Sequence, residues 1–118
     1  KNKFILKKKK EIDLIFRFKK NVKNYFFILY YFQNPNILHF KFALSVSKKY
    51  GKAHERNLIK RRLRMIIHRY MSFIDSRASF VVVIKPSAKK LNFVDLEKKF
   101  LILFQKSFLI TSYKGNYL

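Results

Sequence analysis

The chain has 118 residues, one domain's worth, and its 28 Lys and Arg against six Asp and Glu leave a net charge of +22. A compact monomer of this size exposes ~6,800 Å², so it carries one net positive charge per ~300 Å², a density whose self-repulsion calls for a polyanionic partner. A disordered basic tail is excluded because 49% of the residues are hydrophobic and 18% aromatic; with no Cys, disulfides, thiol chemistry and Cys-ligated zinc are excluded as well.

Residues 1–8 read as a basic extension. A short helix is predicted over 9–18, where Ile12, Ile15 and Phe16 recur at three and four residues. Residues 21–24 form a loop with room for a short edge strand. The run 25–32 is dense in aromatic and β-favouring residues and apolar on both faces, which predicts a central strand. Phe26, Ile28, Tyr30 and Phe32 point one way, and Phe27, Leu29 and Tyr31 the other. After a turn at Asn34, Pro35 and Asn36, the residues Phe40, Phe42, Leu44 and Val46 alternate with polar or small ones. That is a second strand, expected to pair antiparallel with the first.

A loop over 48–53 contains Gly51. From His54 the period changes: Ile59, Leu63, Ile66 and Tyr70 mark an amphipathic helix to about Phe73. Residues 80–85 form a short buried strand stopped by Pro86. Asn92 followed by Asp95 is an N-cap signal, and Leu96, Phe100, Leu103 and Phe104 carry a last helix to about Ile110. Residues 112–118 are expected to fray. The whole of 1–118 is one domain. Its longest uninterrupted apolar run, 25–32, falls far short of the ~20 residues of a membrane span. Glu11, Asp13 and Arg17 break any secretory signal. A cytoplasmic protein without a membrane partner is the expectation.

The second helix and the loop before it hold Lys48, Lys49, Lys52, Arg56, Lys60, Arg61, Arg62 and Arg64 against one acid, Glu55. At ~100° per residue, Arg56, Lys60 and Arg64 stack in line, with Asn57 and Arg61 beside them, away from the apolar side. Solvated helix faces usually mix signs for support at i,i+4, whereas this stripe repels itself and needs an anion. Nucleic acid is the partner such a stripe fits. Asn57 can reach a base edge or a sugar hydroxyl, or simply face water. Tyr30, Ser45 and Ser47 are placed to line a shallow groove near Lys49 and Lys60, in which rings stack bases and cations follow phosphates. Most of the 21 Phe and Tyr must nevertheless be core.

Catalytic side chains are not evident. The six acids are scattered; His39, His54 and His68 lack zinc-ligand spacing. Ser45 and Ser47 have no Gly-rich elbow, and two Gly in the chain leave no phosphate loop. No catalytic or metal-ligating residue and no protein-bound cofactor is expected.

The block Ser45, Val46, Ser47, Lys48, Lys49, followed by Ala53 to Arg61 with Arg56, Asn57, Lys60 and Arg61, and then Arg64, resembles the protein subunit of bacterial ribonuclease P. The flanks agree: Leu6-Lys7-Lys8 before a short helix ending near Phe16, the strand with Leu29, Tyr30 and Tyr31, and Lys85-Pro86 after the last strand. The match runs over about residues 5–109. Two positions depart from the family pattern, Leu58 in place of a second Arg in the helix motif and Ile12 in place of an aromatic.

The resemblance implies an α+β fold, a two-layer sandwich with about four strands in a mixed sheet and three helices, in the order αβββαβα with a left-handed βαβ crossover. It implies that an RNA subunit carries catalysis with magnesium, cleaving the leader from precursor tRNA, and that the protein binds both RNAs without an obligate protein partner. By position, Lys48, Lys52, Arg56, Asn57, Lys60, Arg61 and Arg64 would face the RNA subunit. Phe16, Ile28, Tyr30, Ser45, Ser47, Lys49, Lys60 and Arg64 would line the groove for the single-stranded leader. Composition alone fits two other classes: a ribosomal-protein-like RNA-binding module, and a basic amphipathic protein of membrane surfaces, which the burial of the helix's apolar side in a core disfavours.

Overall fold

The computed structural model describes residues 2–107, 109 and 110; the predicted tail over 112–118 lies outside them. Seven elements carry the fold: α1 (Lys9–Phe18), β1 (Asn21–Lys23), β2 (Phe27–Gln33), β3 (Lys41–Val46), α2 (Ala53–Arg69), β4 (Ala78–Ile84) and α3 (Phe93–Lys106). This is the expected α+β order αβββαβα, with a four-stranded mixed sheet and three helices. The predicted helix over 9–18 is α1. The helix from His54 ends at Arg69 rather than Phe73, where the chain tightens into a 3₁₀ turn at Met71–Phe73. The last helix stops at Lys106. Its start is capped as read, the Asp95 backbone N–H donating to Asn92 Oδ1 at 2.8 Å.

Strand pairing differs from the expectation. The strands lie in the order β1-β2-β4-β3, so β2 and β3 are not neighbours. β2 pairs antiparallel with β1 and β4, with Tyr30 opposite Val81, and β3 pairs parallel with β4, with Ser45 opposite Val83. The reason lies in β4. It is apolar on both faces and buried along nearly its whole length, so it needs a strand on each side. β2 and β3 each have an outer face that tolerates water, and alternation within a strand is silent about which strand it pairs with.

The sheet's two faces are finished differently. On the inner face, Phe27, Leu29, Phe42, Phe80, Val82 and Ile84 pack under α2 and α3. Phe80 lies at the middle, its ring 5.6 Å from Phe42 and 5.3 Å from Phe104. At the C-terminal end of α2, Glu97 of α3 accepts from Arg69 Nη1 at 2.6 Å and from the Tyr70 hydroxyl at 2.7 Å. On the outer face a smaller cluster forms around Leu6, Ile15 and Val81, with α1 alone across it. Residues 2–8 do not trail away from the domain: Leu6 is buried, its N–H donates to the Phe42 carbonyl at 2.9 Å, and Ile5 bridges Phe42 along the free edge of β3. No helix among the described residues is long and apolar enough to cross a membrane.

Candidate nucleic-acid interface

The start of α2 is built around one carboxylate. Glu55, in the first turn, accepts from the Lys52 backbone N–H at 2.8 Å and pairs with Lys89 Nζ at 3.1 Å, satisfying one of the orphan donors of the helix end. These contacts, the Lys52 N–H first and then Lys89, hold its carboxyl below the usual range. Gly51 makes the approach possible, because a Cβ there would overlap the Glu55 carboxylate. The Arg56 guanidinium turns back and donates from Nη1 to the Gly51 carbonyl at 2.7 Å. Arg56 is thus half-buried and tied to its own loop, where the sequence suggested a solvent-facing member of the stripe. The turn before it, Lys48–Tyr50, presents Lys48 and Lys49 to solvent and is anchored by buried Tyr50, whose phenol pKa is raised by that burial.

Along α2, Ile59, Leu63, Ile66 and Ile67 face the sheet. Lys60 lies at the margin of that side, half-buried, while Lys52, Asn57, Arg61 and Arg64 are exposed. Among the described residues, the side chains of Asn57, Lys60, Arg61 and Arg64 find no ion pair or hydrogen bond. The three ion pairs present there use Glu11, Glu97 and Glu55 with Lys41, Arg69 and Lys89. The line therefore carries uncompensated positive charge, flanked by the cations of the preceding turn.

The groove candidates divide. Phe16, Ile28, Tyr30 and Ser45 come together on the outer face of the sheet. The Phe16 ring meets Tyr30 edge-on at 4.7 Å, and the pairing register sets Ile28, Val83 and Ser45 side by side across three strands. That row spans two inter-strand spacings, about 10 Å, with α1 over the neighbouring row of Tyr30, Val81 and Ala43. Ser47 and Lys49 continue from the exposed end of β3 into the turn. Lys60 and Arg64 belong to the helix on the opposite face and are not in contact with the aromatic pair.

Two features escaped the sequence reading. One is the Gly51–Glu55–Lys89 clamp, for which an acid at the third helical position after Lys52 was the available signal. The other is Phe18, stacked on Phe32 at 4.4 Å and 19° while about half exposed. No sequence pattern ties Phe18, at the end of α1, to Phe32. No cluster of three or more His, Cys, Asp or Glu able to hold a metal occurs among the described residues.

The model of the family described as Ribonuclease P matches residues 1–107. The chain is 57% identical over 100 residues to the ribonuclease P protein component of Phytoplasma australiense, covering 85% of this chain and 87% of that one. It is 51% identical over 114 residues to that of onion yellows phytoplasma, covering 97% and 81%. Among solved structures it is similar to the RNase P protein of Staphylococcus aureus (TM-score 0.86, 27% identity, covering 92% of this chain and 98% of that one). The RNase P protein of Thermotoga maritima is also similar (TM-score 0.76, 26% identity, covering 86% and 94%). With the fold, the basic helix and the likeness all in agreement, the chain belongs to the ribonuclease P protein family, the RNA-binding, non-catalytic subunits of the ribonucleoprotein that matures the 5′ ends of precursor tRNAs.

Proposed function

We infer that this subunit works in the cytoplasm by two surfaces that meet at the β3 edge. Lys48, Lys52, Lys60, Arg61 and Arg64 neutralise phosphates of the folded catalytic RNA, Asn57 hydrogen-bonds the same RNA through its neutral amide, and Arg56 contributes by holding the Gly51 loop in place. The outer face of the sheet, with Phe16, Ile28, Tyr30, Ser45 and Ser47 and with Lys49 at its end, takes the single-stranded leader of precursor tRNA. Aromatic edges and a row of small side chains suit unpaired bases without demanding a sequence. Lys60 and Arg64, at the border of the two surfaces, serve whichever phosphates pass over the edge. Magnesium enters through the RNA subunit, and its bond-cleaving chemistry stays there.

The observation that carries this reading is the uncompensated charge of Lys60, Arg61 and Arg64 on one side of β3, set beside the Phe16–Tyr30 pair and the row of Ile28, Val83 and Ser45 on the other. Leader removal by the RNA subunit should need less magnesium when the protein is added, at moderate salt. Cleavage whose magnesium dependence is the same with and without the protein refutes the proposal. Precursors with leaders of increasing length separate the two surfaces: the gain in affinity from leader length should vanish in Tyr30→Ala and persist in Arg61→Ala.

A further inference from the structure

A cleft of about 670 Å³ opens between the N-terminal segment, the edge of β3 and the outer side of α2. Phe4, Phe40 and Met65 are among its walls, and Arg61, Arg64 and His68 are exposed at its mouth. The Phe4 and Phe40 rings stack at 4.7 Å and 27°. Met65, on the helix between the cations, is 53% exposed. No acid lines the cleft. Its volume is that of a small-molecule pocket, and its composition is an apolar, polarizable interior under a cationic rim.

We propose that this cleft receives one unpaired nucleotide of the ribonuclease P RNA, the base lying between Met65 and the Phe4–Phe40 pair and its phosphates on Arg61 and Arg64. The argument is charge complementarity together with position. Arg61 and Arg64 lack anionic partners among the described residues, so an apolar group entering here must arrive with negative charge attached. A second copy of this chain, at +22, brings the wrong sign. The leader lies on the outer face, whereas the cleft is floored by Phe42 from the inner face and walled off by the Ile5–Phe42 bridge along the β3 edge. The folded RNA that covers α2 is therefore the source of the nucleotide. The proposal rests on the reading of α2 as the RNA-subunit surface and adds to it a pocket that binds by burial rather than by charge.

The 118 residues contain no Cys, so Met65→Cys creates a unique attachment point in this chain for a benzophenone photo-crosslinker. Reconstituted with the RNA subunit and precursor tRNA, it should crosslink to one or two adjacent unpaired nucleotides of the RNA subunit. It should do so well above the same label on Val94→Cys, an exposed position of α3 (60% exposed). Crosslinks to the leader, crosslinks to a second protein copy, or a yield no higher than from position 94 overturn the proposal. Separately, Met65→Ala, at a position that does not hold the core together, should weaken RNA-subunit binding roughly fivefold, in the range of one lost base contact. The slope of log affinity against log salt should not change, because no phosphate contact is removed. Unaltered affinity in Met65→Ala also overturns it. Arg61→Ala and Arg64→Ala test the underlying surface independently: a shallower salt slope in them preserves the reading of α2 even where the Met65 experiments fail.

Discussion

On its inner face the sheet is covered by two helices, α2 and α3, and a continuous cluster of aromatic and branched side chains; on its outer face a single helix, α1, packs through Ile15 into a small cluster with Leu6 and Val81. Both faces are apolar in sequence, yet only one is closed. The difference separates two tasks. The inner face supplies the free energy that keeps a highly charged chain folded against its own repulsion. The outer face leaves the row of Ile28, Val83 and Ser45 beside α1, with Tyr30, only half-buried against Phe16, at its border. On the proposed function, stability and binding fall on opposite sides of the same strands, and substitutions that differ by one residue in register should have unlike effects.

The largest expected effect comes from Phe80, fully buried at the centre of the inner face. Phe80→Ala should cost about 3–5 kcal/mol of folding stability, read as a loss of urea midpoint with a nearly constant m-value; a loss near that of a surface mutant would contradict the division of the two faces. Tyr30, one face over, should behave in the opposite way. Tyr30→Ala should leave the unfolding midpoint close to that of the parent while lowering affinity for a leader-bearing precursor by about 1–3 kcal/mol. Equal weakening toward a leaderless tRNA would break the assignment of the outer face to the leader.

A smaller effect is expected on the helix edge. Each of Arg61→Ala and Arg64→Ala should reduce the slope of log affinity against log salt by ~0.7–0.9 for the RNA subunit, measured by filter binding across a salt series. An unchanged slope in both would move the phosphate contacts away from this line.

The smallest concerns the clamp at the start of α2. Glu55 is held below its ordinary value of 4.5 by the Lys52 N–H and Lys89. Its contribution is therefore complete above that value and disappears as the pH falls through the depressed one. Glu55→Gln should melt below the parent at neutral pH, and the gap should close on acidification. A gap that stays constant down to strongly acidic pH would show that the carboxylate charge plays no part.

Much of this molecule is legible one element at a time. The three- and four-residue recurrence of Ile12, Ile15 and Phe16 marks α1, the alternation around Phe42 marks β3, and Asn92 with Asp95 marks the start of α3. Each of these signals is local, set by a helical or strand period or by a cap within one turn. The cationic line is local too, since residues three and four apart on a helix share a side wherever the helix is placed. What pairing did to the sheet was not legible. Two alternating segments in succession, with a turn at Asn34, Pro35 and Asn36 between them, look like a hairpin until the residues of β4 claim the place in the middle.

By itself, then, the amino-acid sequence determined a folded, polyanion-seeking domain, the extent of most of its helices and strands, and the basic block that marks its family, because charge and short-range period are properties of neighbouring residues. Only the tertiary structure decided that β4 separates β2 from β3. It also decided that Arg56 turns inward to Gly51 while Arg61 and Arg64 have no partner among the described residues, that Phe16 meets Tyr30, and that Phe4, Phe40 and Met65 line a cleft. These depend on which surfaces are buried against each other, and burial is shared among residues far apart in the chain, so no local pattern can express it.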